Sequence, residues 1–264
     1  MVACASGLVL SQTAFDCSNI GANTVTLTVT DIHLNSSSCT ATVTVIDNVA
    51  PNVICQNVTV QLDANGNGST TAAAVNNGSS DACGIATVTL NQTTFNCNNV
   101  GGNTVLLTVT DVNGNSNTCS AVVTVEDHVA PIALCQNTTV QLDVTGNGST
   151  TATAINNGSH DACGIGSVLL SHTNFACANV GANPVVLTVT DNNGNVSTCN
   201  AVVTVQDHVA PVALCQNATV QLDVTGNGSI TASVIDNGSS DACGIASKSL
   251  SKTTLHVLIL VQIL

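Results

Sequence analysis

Tryptophan and tyrosine are absent from this 264-residue chain, phenylalanine occurs three times, and lysine and arginine together occur twice. Without aromatic rings there is no platform on which sugars or bases stack, and core volume must come from Val, Leu, Ile and Ala. Both cations, Lys248 and Lys252, fall in the last 17 residues, so residues 1–247 hold no Lys or Arg salt bridge and no lysine isopeptide cross-link. A net charge of -13 argues against nucleic acid and anionic membrane surfaces, where binding relies on cations that release counterions from phosphate. Divalent cations or high salt would relieve the self-repulsion. There is no G-x-S-x-G elbow, no phosphate loop and no Cys-His pairing by spacing, so no catalytic residue is expected and the chain does not read as an enzyme. No apolar run approaches the roughly 20 residues that span a bilayer. No basic residue precedes the apolar N-terminal stretch, which therefore does not read as a signal peptide.

What the chain has is repetition. DACGIATVTLNQTTFNC (Asp81 to Cys97) returns as DACGIGSVLLSHTNFAC (Asp161 to Cys177) and begins again at Asp241. Pro51, Pro131 and Pro211 each follow Val-Ala and lie 80 residues apart, as do Phe15, Phe95 and Phe175. Fixed-period self-similarity decides architecture before any local motif does. The period divides the chain into two complete modules, 48–127 and 128–207, flanked by the later part of a module at 1–47 and the earlier part of another at 208–264.

Each module reads as strands. NTVTLTVTD (Asn23 to Asp31) places Val25, Leu27 and Val29 on one face and Thr26, Thr28 and Thr30 on the other. Such alternation means one buried and one wet face. In the second module strands are expected at 53–62, 69–75, 86–91, 103–111 and 118–127, with Asn-Gly turns at Asn65-Gly66, Asn77-Gly78 and Asn113-Gly114. No segment carries helical periodicity over two turns. Short strands, frequent turns and an 80-residue unit predict an all-β chain of tandem immunoglobulin-like β-sandwich modules.

Thirteen cysteines follow the same period, four in each complete module: Cys55, Cys83, Cys97 and Cys119, then Cys135, Cys163, Cys177 and Cys199. These spacings are too wide for the paired ligands of a zinc site. Disulfides are the expected supplement for a module this small, which buries only about 60% of its unfolded surface, and they place the protein outside the cytosol, secreted or at the cell surface. Spacing alone leaves the connectivity open; one scheme would join Cys39 to Cys55 and Cys119 to Cys135 across module boundaries.

The runs VAPNVICQNVTVQLD at the start of a module and LLTVTDVNGNSNTCSAVVTVEDHVAP at its end resemble the hyalin repeat (HYR), an immunoglobulin-like extracellular module associated with adhesion. The resemblance covers the two complete modules fully and the outer two in part. It implies pairing of the early and late cysteines, Cys55 with Cys119 and Cys135 with Cys199. This chain adds an inner pair beyond the basic family pattern, expected as Cys83 with Cys97, Cys163 with Cys177 and Cys4 with Cys17, which leaves Cys39, Cys215 and Cys243 without partners.

The pattern breaks at Leu255, where Phe is due. LHVLILVQIL (Leu255 to Leu264) can be encoded so that one added base restores FTCANIGANT, close to FACANVGANP (Phe175 to Pro184). The tail is therefore read as a one-base frameshift, and the chain as a fragment.

Four aspartates recur in each module. Oxygen-bearing side chains at alternate positions of a glycine-containing loop suit calcium, and Asp111, Asn113 and Asn115 supply three of them, as do Asp63, Asn65 and Asn67, and Asp191, Asn193 and Asn195. The same residues are also what a hairpin turn selects, and Asp31-Ile-His33-Leu-Asn35 lacks the glycine. The boundary residues Asp47, Asp127 and Asp207 are further candidates for a metal between modules. The six histidines do not assemble into a site: His128 and His208 share the boundary position, where Asn48 stands at the first junction, and the other four each occur in one module. Triplets such as Asn57 to Thr59 and Asn67 to Ser69 fit glycan acceptors. The function that follows is a non-catalytic stalk or spacer of a secreted or surface protein. The alternative is a calcium-dependent module whose loops bind a glycan or an extracellular protein.

Overall fold

The computed structural model describes residues 5–256. The chain divides into two compact units, Met1–Val129 and Ala130–Leu264. The first contains strands β1 (Ala5–Leu10), β2 (Gly21–Asp31), β3 (Ser36–Val45), β4 (Val58–Gln61), β5 (Asn67–Ser69), β6 (Ile85–Leu90), β7 (Thr94–Asn96), β8 (Gly101–Asp111) and β9 (Ser116–Glu126), with a one-turn helix α1 (Ala72–Val75). The second contains β10 (Thr138–Gln141), β11 (Asn147–Ser149), α2 (Ala152–Ile155), β12 (Ile165–Leu170), β13 (Asn174–Ala176), β14 (Gly181–Asp191), β15 (Val196–Gln206), β16 (Asn227–Ser229), α3 (Ala232–Ile235) and β17 (Thr254–His256).

Each complete repeat is a β-sandwich. Its larger sheet has the order β4-β9-β8-β6, with β4 parallel to β9 and the other neighbours antiparallel; β5 and β7 form the smaller sheet. The following repeat copies it as β10-β15-β14-β12 with β11-β13. Alternation decides the faces: Val105, Leu107 and Val109 of β8 and Ala121, Val123 and Val125 of β9 point into the core, at 0–4% exposure. Val60 and Leu62 flank them, and Phe95 closes the core from the smaller sheet. The sheets approach closely at Gly68, where a Cβ would stand 2.5 Å from Val60 Cγ1.

The expected strand at 69–75 is corrected. Only Asn67–Ser69 is extended, and Ala72–Val75 turns as a helix whose N-cap Thr71 accepts the Ala74 N–H at 3.2 Å. Three alanines favour the turn, and it drives Val75 into the core at 0% exposure. The expected strand at 53–62 is a strand only over Val58–Gln61, where β9 offers a parallel neighbour; ahead of it Cys55 makes an isolated antiparallel bridge to Asn76. Asn113-Gly114 turns the β8–β9 hairpin with Gly114 at φ 94, and Asn65-Gly66 turns the chain from one sheet to the other. Asn77-Gly78 lies in no hairpin; Asn77 N–H bonds to Ile54 O instead.

The outer repeats are half-built. Residues 5–45 form the three-stranded sheet β1-β2-β3 alone. Residues 208–256 contribute α3 and the β16-β17 pair, and 218–221, the counterpart of β4, is not a strand.

Candidate functional site: the junction between repeats

Where the first repeat meets the second, β3 ends at Val45 and the chain runs through Ile46 and Asp47. The turn Cys17–Asn19 precedes β2, whose first residue, Gly21, pairs with Val45, so Cys17 lies at the same end. From the second repeat come Asp81 and Cys83, just before β6, and the β8–β9 hairpin. Cys17 is bonded to Cys83, with Cα atoms 5.2 Å apart. Asn115 Nδ2 donates to Asp47 O at 3.1 Å, and Asn117 Nδ2 donates to Pro51 O at 3.1 Å. A cleft beside the disulfide is lined by Phe15, Ile20, Val45 and Asp47.

The inner disulfides expected from sequence are therefore corrected. Ile85 at the start of β6 pairs with Asp111, the last residue of β8, whereas Cys97 lies just before Gly101, the first. The 11 residues of β8 separate those ends by about 33 Å, far beyond the roughly 7 Å that a disulfide spans. Cys83 pairs with the preceding repeat, not with Cys97. In the second unit Cys177 joins Cys243, with Cα atoms 5.0 Å apart, so Cys177 is not bonded to Cys163 and Cys243 is not unpaired. Cys97 and Cys163 are disulfide-bonded as well. Cys55 is joined to Cys119 and Cys135 to Cys199, within one repeat each; neither Cys119 nor Cys135 is thus available to the cross-boundary scheme. Cys39 and Cys215 are free and exposed. Cys4 lies outside the described residues and Cys17 is taken by Cys83; the expected frameshift segment lies outside them from residue 257 onward.

The aspartate loops are hydrogen-bonded turns. Asp111 Oδ1 accepts the N–H groups of Asn113 and Asn115 at 2.9 and 2.8 Å, and Oδ2 accepts Asn115 Nδ2 at 2.8 Å. Asp191 holds Asn193 and Asn195 in the same way. Asp63 Oδ1 accepts from the Asn65 and Asn67 N–H groups. Burial pushes the Asp111 and Asp191 carboxyls up; the Asn115 or Asn195 side chain and the turn N–H groups outweigh it and hold both below the ordinary value. The first repeat keeps this turn without its glycine. Leu34 stands there at φ 70, the only non-glycine with positive φ among the described residues, and Asp31 Oδ1 still accepts from His33 and Asn35.

A different pair of carboxylates gathers at the junction. Atoms of Asp47, Asp81 and Cys83 lie within 4.8 Å of one another, and Asp207, Asp241 and Cys243 repeat the group. Asp47 Oδ1 accepts the Val49 N–H at 3.0 Å, and its Oδ2 is buried with no hydrogen-bond partner. Cys83 is oxidised and offers no thiolate, so the donors are carboxylate oxygens, which suit a hard cation such as calcium. The histidines stay apart: His128 Nδ1 meets Gln61 Oε1 at 2.7 Å, and the His172 ring packs edge-on against Phe175.

No family model matches the chain, and no curated protein matches it; the resemblance to the hyalin repeat rests on its motifs. Solved structures do match. "Protocadherin gammaB7 EC3-6 cis-dimer structure" is similar at 15% identity and a TM-score of 0.34, covering 81% of this chain and 65% of that one. The mouse clustered PcdhgC3 EC1-3 structure is similar at 14% identity and TM-score 0.32, covering 74% and 82%. Human mucin-like protocadherin EC1-2 is similar at 14% identity and TM-score 0.32, covering 60% and 98%. Among the described residues no helix is long and apolar enough to cross a membrane.

Proposed function

We propose that this chain is a non-catalytic repeat region of a secreted or cell-surface adhesion protein and serves as a stalk or spacer. One observation carries the reading: the Cys17–Cys83 disulfide ties successive repeats together covalently where a flexible linker would otherwise let them hinge. The Cys177–Cys243 bond does the same in the second unit. Disulfides in this number belong to an oxidising compartment, and a surface poor in aromatic and cationic residues suits a spacer. Pulling single molecules from their termini tests it. With disulfides intact, the 66-residue span between Cys17 and Cys83 stays out of the force path; reduction adds roughly 230 Å of contour length from that span. Equal contour lengths before and after reduction would remove the reading.

A second reading, a cation held at the junction, is favoured by the buried, unpartnered Asp47 Oδ2 beside Asp81. Calcium there would add an ionic clamp to the covalent one and organise the adjoining loops for a glycan or protein partner. The chain then melts higher in calcium than in chelator, and Asp47→Asn reduces that difference. Melting temperatures that ignore calcium would sink it.

A further inference from the structure

Asparagine followed by glycine recurs through the chain, and the fold treats the copies differently. In Asn65-Gly66 the Gly66 N–H donates to Asp63 O at 2.8 Å, and in Asn113-Gly114 the Gly114 N–H donates to Asp111 O at 3.4 Å. The Gly194 N–H, after Asn193, is likewise held by Asp191. Asn67-Gly68 and Asn147-Gly148 lie inside the short strands β5 and β11, where Gly68 and Gly148 pair with Phe95 and Phe175 and are backed by Val60 and Val140. Asn77-Gly78 has none of this. Both residues are exposed, and the Gly78 N–H has no hydrogen-bond partner among the described residues. A Cβ placed on Gly78 would meet nothing within 4 Å, so the space around it is open. Asn157-Gly158 in the next repeat matches it in each respect. The residues around Gly78 are anchored: the Asn77 N–H donates to Ile54 O at 2.8 Å, Ser79 Oγ accepts the Ile54 N–H at 2.9 Å, and Asn76 Oδ1 accepts the Ser79 N–H at 3.0 Å.

We propose that Asn77 and Asn157 are sites of a spontaneous covalent modification, cyclisation to a succinimide followed by hydrolysis to isoaspartate. The Gly78 nitrogen attacks Asn77 Cγ. The N–Cγ bond forms, the Cγ–Nδ2 bond breaks, and Nδ2 leaves as ammonia, carrying the proton that the Gly78 nitrogen gives up. Water then opens the ring. Opening at Cγ gives ordinary aspartate; opening at the main-chain carbonyl leaves a carboxylate there and a backbone that runs through Cβ. The attacking nitrogen must surrender its proton, which the hydrogen bonds to Asp63 O and Asp111 O oppose at Gly66 and Gly114. Within β5 and β11 the ladder holds the main chain extended, and cyclisation requires it to bend. In isoaspartate the main chain between the Asn77 N–H and Ser79 is one atom longer, so the two groups anchored on Ile54 lose their register and the segment just ahead of Cys55 loosens. Each conversion also adds a negative charge to a chain that already carries -13. The proposal depends on neither the stalk nor the cation reading.

The test ages the full chain, disulfides intact, in mildly alkaline buffer and maps its peptic peptides at intervals by mass spectrometry with electron-transfer fragmentation, which tells isoaspartate from aspartate. Asn77 and Asn157 convert about twofold to tenfold faster than Asn65 and Asn113, the factor that one net main-chain hydrogen bond supplies, and isoaspartate is the main product. The reduced, denatured chain loses this ranking. In the aged folded chain, hydrogen exchange accelerates at the amides of Ile54 and Leu134, the latter held by Ser159 Oγ at 2.9 Å. Asn77→Gln keeps Ile54 protected while Leu134 still loosens. Conversion at Asn65 or Asn113 as fast as at Asn77, the same ranking in the denatured chain, or an Ile54 amide whose exchange ignores conversion at Asn77 would each overturn the proposal.

Discussion

Cys17 and Cys83 are 66 residues apart in sequence and 5.2 Å apart at Cα. The loop they close overlaps in sequence with that of Cys55–Cys119, because Cys55 lies inside the first loop and Cys83 inside the second. The junction is thus fixed by a bond between repeats beside a bond within one, and the unfolded chain loses freedom to both.

The Cys17→Ser/Cys83→Ser variant should therefore lose stability even though both cysteines lie outside the sandwich cores. Loop closure over 66 residues has an entropic limit of about 4 kcal/mol, and a loss of about 2–4 kcal/mol is expected. Denaturant midpoints under oxidising conditions check this. A midpoint equal to that of the parent chain would mean that the junction bond constrains nothing.

The core gives a second contrast. Leu107 and Leu187 are fully buried, so Leu107→Ala or Leu187→Ala should cost about 2–5 kcal/mol. Leu27, at the same place in the half-built first repeat, is only half-buried, and Leu27→Ala should cost clearly less in dilute solution. Thermal melts of the three variants decide it; equal losses would mean that the first repeat is covered.

Gly68 should tolerate no side chain. A Cβ there meets Val60 Cγ1 at 2.5 Å and Gln61 O at 3.1 Å, and Gly148 repeats the contact with Val140 at 2.6 Å. Gly68→Ala should cost about 1–3 kcal/mol by overpacking. Gly78→Ala meets nothing within 4 Å and is strained only by its φ of 82, so chemical denaturation of the pair separates crowding from backbone strain.

Acid should loosen the β8–β9 and β14–β15 hairpins. The Asp111 and Asp191 carboxyls sit below 3.8 in the folded state, so their hydrogen bonds contribute fully above that value and are lost as pH falls below it through the folded value. Hydrogen exchange at the Asn115 and Asn195 amides should accelerate in that window. Rates that follow only the intrinsic pH dependence would show that the carboxylates hold nothing.

Much of the sandwich was legible from residues. Alternation in 103–111 and 118–127 marks β8 and β9 because each has one buried and one wet face. The edge of β4, the three-residue β5 and β7, and the turn at Ala72–Val75 were not, since their pairing comes from distant segments and too few residues carry a period. The residue types around Asp111 and Asp191 fit a turn or a calcium loop alike; the folded chain adds the hydrogen bonds by which each aspartate holds its own turn. Cys83 and Cys97 were expected as an inner pair beyond the family pattern, yet an extended strand carries them to opposite ends of the sandwich. The 66-residue partner of Cys83 had no local signature, although the repeated spacing from Cys17 to Cys83 and from Cys177 to Cys243 was present in the sequence. Asp47 beside Asp81 was likewise hidden, since only the folded junction brings a boundary residue to the start of β6.

The most direct test is a non-reducing peptide map with thermolysin, which cuts between Cys83 and Cys97, where trypsin has no site before Lys248. The account predicts linked peptides for Cys17–Cys83 and Cys177–Cys243 that separate on reduction. Peptides linking Cys83 to Cys97, or Cys163 to Cys177, would place those disulfides inside single repeats and remove the covalent junction.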